Sequence, residues 1–336
     1  MLEPTAGKET FLTVSDGSVA VLEGPLSGSV RSAGNENWNE VCINRGSPHF
    51  MTGQYRRHPV RAHFDYVLIL QWLGRDDEPT GELLHDFLLD IGIPVEIAKC
   101  HDGNDVAQAI SLAHLSTRTR GIPAIHIESH GDDPWSRPAR DAEFGLNAAP
   151  GIKWSELGEW LAPLNKSCDY QLLVVGATCF GLGTLAALNV NRHVAPFALT
   201  LGFSTSVTPG ALFRSMKEFY RAIHQKKSVE AAVESARGEL KSGEKIVARS
   251  VVDVAIQVIR GVYDRVRTPE ATLQSTHELL QRARDAGLPT PAEVASALPV
   301  ILHSTSRSHC EKAWNSWFPA DLQSQDPAYV LDWQTV

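Results

Sequence analysis

Cysteine is scarce and scattered in this chain: five among 336 residues, at positions 42, 100, 168, 179 and 310. The number is odd and no two form a C-x-x-C pair, which argues against a disulfide framework and against a zinc ribbon. A reducing cytoplasm is the expected setting. Long apolar runs are missing as well. No stretch approaches the roughly 20 residues needed to cross a bilayer, so no membrane partner is expected. The opening "MLEPTAGKET" has neither a basic start nor an apolar stretch, and no secretory leader is expected there. Positive charge is in deficit: 31 Lys and Arg stand against 39 Asp and Glu, a formal net charge of -8, which disfavours direct nucleic-acid binding. Internal repeats and low-complexity tracts are also lacking. What remains is 43% hydrophobic and 21% charged, the make-up of a globular protein with a substantial core.

The middle of the chain alternates short apolar runs with segments of helical spacing. "DYVLILQWL" (65–73), "PVEIAKC" (94–100), "PAIHIES" (123–129), "YQLLVVGA" (170–177) and "APFALTLGF" (195–203) read as five strands. Between them, "PTGELLHDFLLDIG" (79–92) spaces Leu83, Leu84, Phe87, Leu88 and Ile91 at helical intervals and stops at Gly92. Residues 104–118, capped by Asn104 or Asp105, and 152–164 follow the same rule. "GALFRSMKEFYRAIHQ" and "SVEAAVESARGEL" add two amphipathic helices. This alternation predicts an α/β fold, a three-layer sandwich with a mostly parallel central sheet flanked by helices. Residues 1–60 read as an N-terminal extension with a hairpin around Asp16-Gly17. Residues 61–266 form the α/β domain, and 267–336 a mostly helical C-terminal extension. The aromatic residues of that extension, Trp314, Trp317, Phe318 and Trp333, are expected to pack on the chain's own core.

Two strand ends carry chemistry. "PAIHIESHGDD" breaks off at His130-Gly131, and "LLVVGATCFGLG" ends in Cys179 followed by Gly181. The carboxyl ends of central parallel strands are where open α/β sheets place reactive groups. If the two strands are neighbours, about 4.8 Å apart, imidazole and thiol face each other across one cleft. A histidine beside a thiol favours the thiolate and can protonate a leaving amine. The main-chain N–H groups of Gly131 and Cys179 are the candidate oxyanion donors, with Gly181 letting the chain turn tightly beneath a reacting carbonyl.

"SHG" after one apolar strand and "ATCFG" after the next resemble the histidine and cysteine motifs of the caspase-like (clan CD) cysteine peptidases, and among these the bacterial CHAT-domain proteins. "LFRSMKEFYRAIHQKKSVEAAVESARGEL" is also similar to the CHAT pattern of a Phe-Tyr helix followed by an Ala-rich helix. The likeness spans about residues 62–265. It implies that His130 is general base and acid, that Cys179 is the nucleophile, and that the Gly131 amide is an oxyanion donor. It further implies a protein substrate, no cofactor or metal, control by a regulatory protein or ligand, and a bacterial effector of antiviral defence. By the same likeness Phe203, Ser204, Thr205 and Ser206 would pair with an extended substrate, ending at Pro209. Asp132 and Asp133, next to the histidine, would favour a basic P1 residue; Arg214 is the competing charge and would favour Asp. The caspase pentapeptide is not present in its usual form. Only 15 residues separate Cys179 from Ala195, so self-cleavage there is not expected.

Other readings stay open. "GLGTLA" (181–186) satisfies a dinucleotide fingerprint, but no acidic residue follows between Asp169 and Glu218 to hold a ribose, and the motif follows the fourth strand rather than the first. "GFSTS" misses the serine-hydrolase elbow by its last residue. His126 lies four residues before His130, about 13 Å along a strand, too far to share a metal, and reads as a core residue. A catalytically inactive CHAT-like binding scaffold and a nucleotide-binding α/β enzyme are the rival functions.

Overall fold

The run "YVLILQW" (66–72) is buried at every position but one, which marks a strand covered on both faces, and it lies inside the sheet rather than at its edge. The computed structural model describes residues 11–15, 18–22, 63–131, 143–145, 151–187, 194–263, 268–285, 292–325 and 329–331. Strands β1 (Phe11–Ser15) and β2 (Ser18–Leu22) pair antiparallel with Ser15 opposite Ser18, the hairpin expected from Asp16-Gly17. The α/β body follows. It comprises β3 (Tyr66–Trp72), α1 (Thr80–Asp90), β4 (Val95–Lys99), α2 (Gly103–Arg120), β5 (Pro123–Gly131), the short β6 (Glu143–Gly145) and β7 (Ile152–Lys153), α3 (Trp154–Ser167) and β8 (Leu173–Ala177). A 3₁₀ segment (Gly181–Ala187), β9 (Leu199–Phe203), α4 (Pro209–His224), α5 (Val229–Arg237), β10 (Ile246–Ser250) and α6 (Val251–Tyr263) complete it. Helices α7 (Pro269–Asp285), α8 (Ala292–Trp317) and α9 (Ala320–Gln325) end the described chain.

The main strands run in the order β10-β9-β8-β5-β3-β4. All neighbours are parallel except β10, which closes one edge antiparallel to β9. The three-layer α/β sandwich expected from the alternating pattern is therefore present. One face buries Val67, Ile69, Val175 and Leu201 against Leu84 and Leu88 of α1, Phe219 and Tyr220 of α4 and Ala232 of α5. The other buries Leu68, Leu70, Ile125 and Val174 against Ile110 of α2, Leu157 of α3 and Ala255 of α6. Each fully buried Leu or Phe contributes about 2 kcal/mol. The C-terminal helices join this second face: Trp314, Trp317 and Phe318 are buried in the same cluster, and the Trp314 indole donates to the Tyr329 carbonyl at 2.8 Å. Trp333 lies outside the described residues.

Local signals differ from expectation at the α2 cap and at β10, and the short β6 and β7 and helix α6 are further elements absent from the expected set. Helix α2 is capped by Asp102, whose carboxylate accepts the Asn104 and Asp105 amides, so those two residues are the capped rather than the capping ones. Strand β10 was not foreseen. It is an edge strand buried only at its two ends, so it carries no continuous apolar run.

The topology fixes where a site belongs. From β3 the chain passes through α1 to β4 on one side; from β5 it passes through α3, on the opposite face, to β8 on the other. The direction of progression changes between β3 and β5. In open α/β sheets the crevice outside the carboxyl ends of the strands at such a switch is the ligand site. Among the described residues no helix is long and apolar enough to cross a membrane.

Candidate active site

Strands β5 and β8 are neighbours, with Glu128 opposite Ala177. Two residues further on, His130 is still in β5, on the face of Glu128 and paired with Gly145 of β6. Cys179, in the turn beyond β8, packs against the apolar cluster that holds Ala177. Contact is closest through the main chain. A β-carbon on Gly131 would lie 2.0 Å from the Cys179 carbonyl oxygen, so only glycine lets the two strand ends meet. The Thr178 hydroxyl donates to that same carbonyl at 2.9 Å. Phe180 then turns the chain with a φ of 54°, a left-handed conformation costly for a non-glycine residue and typical of functional turns.

Three glycines seat this turn. Gly176 and Gly202 are opposite each other on β8 and β9, and Gly181 folds back over both. A β-carbon on Gly176 would come within 2.3 Å of the Gly181 main chain, and one on Gly202 within 2.5 Å. Gly183 presses in the same way on the Trp154 indole nitrogen, which its β-carbon would meet at 2.6 Å. The glycines of the "GLGTLA" motif are thus used for packing, and the segment they open is a 3₁₀ turn rather than the α-helix of a dinucleotide site.

The histidine has a partner the sequence did not single out. Asp77, in the loop after β3, accepts a hydrogen bond from Nε2 of His130 at 2.9 Å. The same carboxylate oxygen accepts the Gly74 amide at 2.6 Å. The bond from His130, helped by the Gly74 amide, holds the Asp77 carboxyl below its ordinary range. Asp77 and His130 therefore face each other across the switch between β3 and β5. The bond to Asp77 is made through Nε2, so Nδ1 is the ring nitrogen that Asp77 does not occupy.

The thiol is half-buried and engaged elsewhere. Cys179 Sγ lies 3.5 Å from the Val207 amide nitrogen, which donates to it, and 3.6 Å from the Val207 carbonyl oxygen. Val207 belongs to a segment fastened on both sides. The Phe180 amide donates to the Thr205 carbonyl at 3.2 Å, the Ser204 amide to the Lys245 carbonyl at 2.9 Å, and the Lys245 amide to the Thr205 hydroxyl at 3.0 Å. Thr208 donates through its amide to Glu244 at 3.2 Å.

The stretch 203–206, expected to pair with substrate, is largely engaged within the fold. Phe203 is fully buried and opposite Ile246 of β10, and the Ser204 amide is already bonded to the strand's own approach loop, so neither offers a free pairing edge. The Thr205 carbonyl is taken by Phe180; Ser206 is exposed. Asp132 and Asp133 lie outside the described residues. Arg214 is half-exposed on α4 and paired with Glu239 at 3.5 Å, so its charge is already met. The other described cysteines are buried, and burial pushes the Cys100 and Cys168 thiols up to about 12 and that of Cys310 to about 11. His126 is wholly buried, as expected of a core residue.

No protein-family model matches the chain, and no curated protein matches it.

Proposed function

We propose that this chain is a cysteine endopeptidase of the caspase-like kind, with Cys179 as nucleophile, His130 as general base and acid, and Asp77 orienting the imidazole. The carrying observation is the convergence of three strand ends. Asp77 after β3 holds His130 after β5, and the Gly131 main chain packs directly on Cys179 after β8. Nucleophile, base and orienting carboxylate in this order form the generalised triad.

In the reaction, His130 takes the thiol proton as Sγ of Cys179 attacks the scissile carbonyl carbon. The carbonyl oxygen, now anionic, would be met by the Gly131 and Cys179 amides. Collapse breaks the C–N bond, and the histidine gives its proton to the leaving amine. Water then attacks the thioester, passing a proton to His130, and the acid product leaves as the thiol is restored. Throughout, Asp77 keeps one ring nitrogen occupied, so the other works.

The Val207 contact supports a regulated enzyme. The thiol must turn from the Val207 main chain toward the imidazole before it can react, and the 204–208 segment that holds it is tied to the 241–245 loop. A binding protein or ligand acting on those loops would control that turn. A bacterial protein substrate in antiviral defence remains the proposed context.

Mapping of new protein N-termini in a bacterial lysate treated with the purified chain tests the proposal. New termini are expected with the wild type and none with Cys179→Ala; identical termini from both overturn it.

A further inference from the structure

Directly behind the site, on the same face of β5 as His130, lie two more polar residues at the strand's period of two: His126 and Glu128, 0% and 1% exposed. An acidic side chain taken fully out of water is costly unless its oxygens are all met. Both are met here. Glu128 Oε1 is 3.3 Å from Nε2 of His126, and Oε2 accepts the Thr80 hydroxyl at 2.7 Å. His126 Nδ1 is in turn 3.0 Å from the Tyr220 hydroxyl on α4. Burial raises the Tyr220 hydroxyl strongly, so it keeps its proton. One tautomer satisfies every group: Tyr220 donates to Nδ1, Nε2–H donates to Glu128, and Thr80 donates to the other oxygen.

The far end of this chain of bonds is the point of interest. Thr80 is the first residue of α1, three positions after Asp77. That helix has no side-chain cap of its own, since Pro79 stands at the capping position. Its start is held by Glu128 instead. The loop carrying Asp77 is thus pinned by β3 at one end and, through Thr80, by the strand that bears His130 at the other. Gly81 shows independently how closely this joint is fitted. A β-carbon there would lie 2.6 Å from Gln71 Oε1, 3.0 Å from Glu128 Oε2 and 3.2 Å from an Ile69 methyl.

We infer that Glu128 and Thr80 are positioning residues for the candidate triad: their bond sets the Asp77 loop against His130, and His126 and Tyr220 hold Glu128 in place to do so. This rests on the reading of Asp77 and His130 as working groups, but its test needs no substrate.

The test is ¹³C NMR titration of the Asp77 carboxyl in the full chain, assigned with Asp77→Asn. In the wild type its midpoint is expected below the ordinary carboxylate value of about 3.9. In Thr80→Val, which removes the hydroxyl and keeps the shape, the midpoint moves up toward that value, and Thr80→Ser restores it. Gly81→Ala, which pushes the joint apart, moves it the same way and serves if Thr80→Val does not fold. On a cleaved peptide, Thr80→Val and Gly81→Ala each lower kcat about tenfold to a hundredfold with KM little changed, the cost of a slightly misplaced group, while Thr80→Ser keeps the wild-type rate. An Asp77 midpoint unmoved in both variants, with only Tm reduced, makes the network structural and overturns the inference. Loss of the peptidase reading would show differently, as cleavage surviving in Cys179→Ala with the Asp77 titration unaffected.

Discussion

Asp77 reaches Nε2 of His130 at 2.9 Å from the end of the neighbouring strand, across a place where the sheet reverses its direction of growth. The bond joins residues 53 positions apart in sequence. Because the folded protein holds the Asp77 carboxyl below its unfolded value, the bond contributes stability above the unfolded pKa of about 3.9. It is lost as the pH falls through the folded value. The wild type should therefore melt above Asp77→Asn near neutral pH, by the small margin of a partly exposed pair, and the two curves should converge once the pH has fallen below the folded value. Peptide cleavage by Asp77→Asn should fall by at least about a hundredfold, since the imidazole loses its fixed orientation. Equal Tm values across the whole range would count against the bond.

Selective alkylation separates Cys179 from the remaining described thiols. Cys100, Cys168 and Cys310 are buried and stay protonated at neutral pH, their thiols lying at about 12, 12 and 11. Brief iodoacetamide treatment followed by peptide mapping should modify Cys179 ahead of these three. Alkylated protein, Cys179→Ala and His130→Ala should all be inactive yet fold cooperatively, because both side chains sit at the carboxyl ends of their strands rather than within the buried core. Modification of Cys100 or Cys168 first would contradict the arrangement.

The glycine seat beneath the cysteine turn makes a sharper demand. Gly202→Ala places a methyl 2.5 Å from the Gly181 main chain, which has to move. Overpacking of this kind costs about 1–3 kcal/mol. Thermal melts should show that loss, and a displaced turn should slow alkylation of Cys179 as well. A variant with wild-type melting and labelling would mean that the turn yields freely.

An uncut chain is expected to be the active form. The first part of the segment between Cys179 and β9 is built in: Gly181, Gly183 and Thr184 are buried, and the Thr184 hydroxyl lies 2.6 Å from that of Thr200. Intact-mass measurement during turnover should find the full chain. Activity that begins only after a cut within 180–194 would refute this.

With Arg214 engaged by Glu239, the acidic pair after His130 is the stronger candidate for choosing the residue cleaved after. A fluorogenic peptide library should favour Lys or Arg, and Asp132→Asn with Asp133→Asn should erode that preference. A strong preference for aspartate, indifferent to both changes, would reverse the assignment.

The five parallel strands, helices α1–α5 and the two residues at the ends of β5 and β8 were legible because local apolar patterning marks strands and their ends. Asp77 was not. It stands in "GRDDEP", an acidic run that reads as a solvated loop, and only the adjacency of β3 and β5 picks it out from Asp76 and Glu78. His126 could be read as buried, but its partner Tyr220 lies 94 residues away and no pattern connects them. The pairing of Gly176 with Gly202 and the reach of Val207 to Cys179 are likewise matters of register between strands, which a single sequence does not carry. The pairing of Phe203 with Ile246 of β10, 43 residues further along (246 minus 203), has the same origin.

The aromatic cluster of the last helices bears on how the protein can be made in the laboratory. Because Trp314, Trp317 and Phe318 complete the apolar layer on the sheet face opposite the reactive groups, a fragment trimmed after residue 266 would expose the part of that layer they cover. Such a fragment would retain every residue of the proposed chemistry and still be a poor reagent, prone to self-association and to binding hydrophobic dyes. Expression should begin from the whole chain.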